Sequence, residues 1–216
     1  MTKLYYTLTL VCTSAILHAQ IKKDAVLLGG QIYYNHVKLT TTGYEDVKSN
    51  EAYFAISAGK AVKDNTVYGI NFSYSPYSIP YITSGNTIDF TAKGNNYTIG
   101  VFYRQYRTLA KDLYFFTEVG AAYITYKETD RDSTGITVGK ATQKGGQLTL
   151  MPGITYKLFN KFYLEVLIPN IVTIQYADTK ITQQAAPNSK QSQFVFNTSL
   201  NGNSLDLFGV GFRFIL

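Results

Sequence analysis

With 216 residues, 19 tyrosines, 13 phenylalanines, 17 glycines and no tryptophan, the chain has the composition of one strand-rich unit rather than a helical one. No apolar run approaches the ~20 residues of a membrane-crossing helix, so that mode of spanning is excluded. The formal net charge of +6 is a modest excess, suited to solvated loops or to the neighbourhood of anionic headgroups.

Residues 1–19 read as a secretory signal peptide: Lys3 supplies the positive start, Leu8 to Leu17 is largely apolar, and Ala19 before Gln20 offers a small residue at the cut. Cleavage there is favoured over lipidation at Cys12, because Val11 is not small and the apolar run continues past the cysteine. The mature chain, 20–216, then keeps no cysteine and has neither disulfides nor thiol chemistry. A first strand follows, in which Val26, Leu28, Gly30, Ile32 and Tyr34 alternate with Leu27, Gly29, Gln31, Tyr33 and Asn35. The polar stretch 36–51 reads as a long loop. A second strand covers Ala52 to Ala61 and stops at the turn residues Lys63, Asp64 and Asn65. The third sets Tyr68, Ile70, Phe72 and Tyr74 against Gly69, Asn71 and Ser73, and the Pro-, Ser- and Gly-bearing stretch 75–94 reads as a second long loop.

The fourth strand, Asn95 to Tyr106, opposes Tyr97, Ile99, Val101 and Tyr103 to Thr98, Gly100, Phe102 and Arg104. A tight turn at Leu109 to Asp112 returns into a fifth, with Phe115, Val119, Ala121 and Tyr123 opposite Phe116, Glu118, Gly120 and Ala122. The charged stretch 127–145 reads as the third long loop. A sixth strand, Gln147 to Lys157, contains Pro152, which lacks a ladder donor and predicts a bulge there. Phe159, Asn160 and Lys161 form a short turn into a seventh strand, Leu164, Val166 and Ile168 against Tyr163, Glu165 and Leu167. Its continuation past Pro169 and the stretch Phe194 to Leu200 predict an extended hairpin within 173–200. The chain closes on a strand of period two, with Phe208, Val210, Phe212, Phe214 and Leu216 on one face and Gly209, Gly211 and Arg213 on the other.

Apolar rows paired with glycines and charges are odd choices for a soluble sandwich and sensible ones where one face meets lipid. Long and short connections alternate along the chain. The expected fold is therefore all-β, an eight-stranded antiparallel up-and-down transmembrane β-barrel with long outer loops and short periplasmic turns. The layout, the signal peptide, the stretch Gly100 to Arg104 with Tyr106, and the ending Gly209 to Phe214 resemble the small porin-family outer-membrane barrels of Gram-negative bacteria, the OmpA-like and OmpX-like proteins. That resemblance implies a cell outer-membrane location, contact with outer-membrane lipid, and recognition of the closing strand by the barrel-assembly machinery. Unlike full OmpA-type proteins, the chain is expected to carry no peptidoglycan-binding domain after the barrel.

Four charged residues fall on the expected interior face: Arg104, Glu118, Glu165 and Arg213. Two diagonal pairs, Arg104 with Glu118 and Glu165 with Arg213, are expected to balance one another, because a lone interior charge loses hydration without compensation. Such a network would plug a narrow lumen. Tyr34, Tyr68, Tyr74, Tyr97, Tyr103, Tyr123 and Tyr156 are expected at the membrane interface, where an amphipathic ring gains from the headgroup region. No basic groove accompanies them, so nucleic acid is not an expected partner. His36 stands near Glu45 and Asp46 without the spacing of a catalytic site, and Asp130, Asp132, Thr134 and Gly135 begin like a calcium loop whose closing acidic ligand is replaced by Ala141. The expectation is no enzyme, metal or cofactor. Function is expected to be structural or interactive, through the loops 36–51, 75–94, 127–145 and 173–200. A narrow channel for small or apolar solutes is the main alternative, and a secreted soluble ligand-binding barrel is the second.

Overall fold

The computed structural model describes residues 21–39, 47–81, 90–168, 171–184, 187–198 and 209–216. The expected signal segment, Glu45, Asp46 and Phe208 lie outside the described residues. Ten strands follow in order: β1 (Val26–Leu39), β2 (Val47–Lys63), β3 (Thr66–Tyr81), β4 (Phe90–Ala110), β5 (Leu113–Asp132), β6 (Thr137–Phe159), β7 (Phe162–Leu167), β8 (Val172–Gln183), β9 (Ser189–Thr198) and β10 (Gly209–Ile215). All pairings are antiparallel and join one sheet in the order β5-β4-β3-β2-β1-β10-β7-β6-β8-β9, with a further β5–β6 pairing. The sheet curls into an incomplete ring: β9 pairs with β8, and no strand pairs with its other edge among the described residues.

This corrects the expected eight-stranded closed barrel. The expected seventh strand and its continuation are two strands, β7 and β8, and the stretch expected as the far arm of the hairpin is β9, a strand separate from the closing β10. The change from β7 to β8 as partner of β6 falls at Pro152. Its carbonyl accepts from the Ile168 amide at 3.1 Å, and the N–H of a strand residue points to the same edge as its carbonyl. Proline therefore has no donor to offer the neighbouring strand at this level. There the partner of β6 changes, from β7 opposite Gly153 to β8 opposite Leu150. The bulge expected at Pro152 does not form in the ladder with β5, where Thr117 pairs with Pro152 in unbroken register.

The expected loops are also corrected. Most of 36–51, 75–94, 127–145 and 173–200 is strand, and the β5–β6 hairpin pairs out to Arg131 opposite Thr137. These segments carry polar residues on both faces, so polarity hides their pairing. At Pro76 the β2–β3 pairing is interrupted between the pairs Phe54–Tyr74 and Glu51–Tyr77 without a change of register, while the β3–β4 ladder continues.

Three short turns share one build. Asn65, Asp112 and Asn160 take positive φ of 60°, 61° and 38°, and the ladder slips by a residue beside each. Asn and Asp tolerate the left-handed region better than other non-glycine residues. Asn65 does more than turn the chain. Its Oδ1 accepts the Ile21 amide at 3.0 Å, its own amide donates to the Ile21 carbonyl at 2.8 Å, and Ile21 is buried in the apolar cluster at this end. Asn65→Ala is expected to cost about 1–2 kcal/mol through backbone strain and the lost bond, measured as a lowered urea midpoint. Asn65→Gly, which keeps the conformation, should cost less.

Candidate functional site

The inward face of β5 gives the layers of the interior in order: Tyr114, Phe116, Glu118, Gly120, Ala122, Ile124, Tyr126 and Glu128. At the short-turn end, Tyr106, Tyr114, Phe116 and Tyr163 pack with Leu27, Val67 and Leu167. The glycines beneath them make room. The Phe102 ring lies where a Cβ on Gly69 would stand, and the Phe116 ring does the same over Gly153.

Directly above this cluster lie the four charges. Arg104 on β4 stands opposite Glu118 on β5 in register, not diagonally, and its Nε donates to Glu118 Oε2 at 2.7 Å. The same guanidinium crosses the interior to β7, where Nη1 donates to Glu165 Oε1 at 2.6 Å. Arg213 on β10 donates from Nε and Nη2 to the two Glu165 oxygens at 2.8 and 3.1 Å. Thr155 Oγ1 also donates to Glu165 Oε1, at 3.0 Å, and Arg213 Nη1 reaches Ser57 Oγ at 3.4 Å. Glu165 is therefore the hub of one connected set of two cations and two carboxylates, with its side chain 0% exposed. Arg104 further donates to the Tyr106 hydroxyl at 3.1 Å and lies 4.0 Å over the Phe116 ring. The cross-ring contact from Arg104 to Glu165 joins strands that are not neighbours. Pairwise reasoning along hairpins could not reach it.

The expected interface tyrosines lie on the outer face. Tyr34, Tyr68, Tyr97, Tyr123 and Tyr156 are exposed. Tyr74 and Tyr103 are half-buried because each packs against a cross-strand tyrosine, Tyr74 on Tyr97 at 5.0 Å and Tyr68 on Tyr103 at 5.1 Å between ring centroids. On β4 and β3 the tyrosines bracket Ile70, Phe72, Ile99 and Val101, an apolar stretch of about 20 Å along the strand at ~3.3 Å per residue. Val210, Phe212, Phe214 and Leu216 are exposed on the outer face of the closing strand, where Phe214 lies 5.0 Å from the Phe162 ring.

His36 is exposed, with Nδ1 2.6 Å from Asn50 Oδ1, an oxygen that also accepts the Tyr34 hydroxyl at 3.2 Å. The Asp132 carboxylate is spent on its own turn: Oδ1 accepts from the Thr134 hydroxyl at 2.7 Å and from the Thr134 and Ile136 amides at 3.0 and 2.8 Å. No cluster of three or more His, Cys, Asp or Glu able to hold a metal occurs among the described residues. The Thr134 hydroxyl, with the turn amides, holds the Asp132 carboxyl below the usual aspartate range. A lowered folded-state pKa stabilises the turn above the unfolded value, and that contribution is lost as pH falls through the folded value. The Ile136 amide proton shift should therefore titrate with a midpoint below that of an ordinary aspartate, and Asp132→Asn should abolish the transition.

One cluster is absent from the sequence reading. At the outer end of the interior, Tyr77 and Tyr126 stack at 5.5 Å and both hydroxyls donate to Glu128 Oε2. Its signal lies in the parity of β3 and β5, which the polarity of both outer segments conceals.

No protein-family model matches the chain, and no curated protein matches it. Solved structures similar to it include a major outer membrane protein of Thermus thermophilus, at 14% identity and TM-score 0.48, covering 92% of this chain and 100% of that one. Neisserial surface protein A is similar at 13% identity and TM-score 0.41, covering 91% and 99%. The attachment invasion locus protein of Yersinia pestis is similar at 11% identity and TM-score 0.38, covering 89% and 99%.

Proposed function

We propose that the chain is a non-enzymatic integral protein of a cell outer membrane, reached after export by a cleaved signal peptide. It holds a sealed interior and presents its outer hairpins to the surroundings. One observation carries this reading: polarity is inverted. Arg104, Glu118, Glu165 and Arg213 are buried inside, while Ile32, Ile56, Ile70, Ile99 and Val101 are exposed outside. A water-soluble protein gains by the opposite arrangement. A lipid-facing surface calls for this one, with tyrosines at the edges of the apolar stretch.

The reading assigns three kinds of partner. Lipid acyl chains meet the outer apolar face. The outer-membrane assembly machinery meets the closing strand with its row Val210, Phe212, Phe214 and Leu216. An extracellular partner meets the hairpins of β3–β4, β5–β6 and β8–β9. The buried ion pairs, which reach from β4 across to β7 and on to β10, and the aromatic layer below them support a scaffold over a narrow solute channel.

Single-channel conductance of the refolded mature chain in planar bilayers tests this. The parent is expected to be silent, and the variant with Arg104→Ala and Glu118→Ala together is expected to conduct. Steady conductance by the parent would establish the narrow-channel alternative in place of the sealed scaffold.

A further inference from the structure

Above the ion pairs the interior opens into a cavity of about 170 Å³. Its floor is Arg104, Glu118 and Met151. Its walls carry uncharged hydrogen-bonding side chains from β1, β3, β4 and β6: Gln31, Asn71, Ser73, Asn96, Thr98 and Gln147. Small residues at Ala55, Gly120 and Ala122 leave the space open. On the β3–β4 wall the inward residues form successive rungs, Asn71 opposite Gly100 and Ser73 opposite Thr98.

Two buried oxygens on this wall, Asn71 Oδ1 and Asn96 Oδ1, have no hydrogen-bond partner within the protein. Buried acceptors in folded proteins are nearly always satisfied, so these two call for a donor from an occupant. The volume equals that of about five or six water molecules at ~30 Å³ each. The occupant is uncharged, because Arg104 and Glu118 are engaged with each other and an ion would shed its hydration without a counter-charge. A hydroxyl is the group that donates to a carboxamide oxygen and accepts from a carboxamide N–H through one atom. The geometry points to this chamber as a binding site for a small uncharged polyol of glycerol size, held between the β3–β4 wall and Gln31 and Gln147. The site exists whether or not the interior conducts, so its failure is distinguishable from failure of the sealed-scaffold reading.

The test is saturation-transfer NMR on the mature chain refolded in a detergent without sugar headgroups, with glycerol as probe and acetate and guanidinium as charged competitors. Saturable glycerol binding that neither ion displaces is expected. The double variant Asn71→Leu, Asn96→Leu is expected to weaken it by about tenfold or more, as loss of two hydrogen bonds implies. Should that variant fail to show the folded gel mobility, Thr98→Val removes one wall hydroxyl at constant shape and is expected to weaken binding by about threefold or more. Absence of saturable binding, with only water exchanging into the chamber, would overturn the proposal. Unchanged binding in a folded variant would overturn it too, by placing the polyol elsewhere.

Discussion

Glu165→Ala is expected to be the most damaging single truncation in the interior, at about 3–5 kcal/mol, the cost of breaking a fully buried ion pair by removing one partner. The geometry explains why Glu165 exceeds Glu118. Glu165 is fully buried and accepts from both arginines and from Thr155, whereas the Glu118 side chain is 10% exposed and serves Arg104 alone among the four charges. Its removal leaves two buried guanidiniums facing one carboxylate. The double variant Glu165→Ala, Arg213→Ala restores balance, because Arg104 and Glu118 still pair at 2.7 Å. It is therefore expected to be more stable than the single variant. Urea unfolding of the refolded protein in lipid vesicles measures both, followed by tyrosine fluorescence and by heat-modifiable gel mobility. If the double variant unfolded at the lower urea concentration, the coupling of Glu165 to Arg213 would not be what holds this layer together.

What the sequence disclosed, and what it hid, follows from how each feature is encoded. Inward and outward assignments rest on a period of two and need no knowledge of neighbours, so Arg104, Glu118, Glu165 and Arg213 could be placed on one face before any pairing was known. Strand number needs more. The change of partner from β7 to β8 falls at Pro152 of β6, and alternation along a strand does not say which strand lies beside it. Strand length was hidden for another reason. Beyond Tyr74 and Tyr123 polar residues stand on both faces, the apolar period is broken, and the pairs Ser78–Lys93 and Glu128–Ala141 look like loop although the ladders continue. The contact of Arg104 with Glu165 crosses the ring between non-adjacent strands. The apolar layer beneath it is legible only in part: alternation puts Phe116 on the face of Glu118, but that Tyr106, Tyr114 and Tyr163 meet it there depends on how the strands pair.

Ile99→Arg is expected to destabilise the refolded protein in a bilayer by about 2–4 kcal/mol, the depth-dependent cost of a cation on a lipid-facing strand near the midplane. The residue is 62% exposed and sits between Tyr97 and Tyr103 on the outer face of β4. If that face met water, an exposed isoleucine could become arginine within about 0.5 kcal/mol, the usual range for surface substitutions away from special features. The same exposure thus leads to opposite outcomes in the two solvents. Lys127→Arg, on the outer parity of β5 past the Tyr123 level, is the matched control and should be near neutral in both. Vesicle-based urea unfolding of the two variants therefore reads the solvent of the outer face directly. A large loss confined to Ile99→Arg places lipid against the apolar rows, and equal, small effects would place water there and return the chain to the soluble alternative.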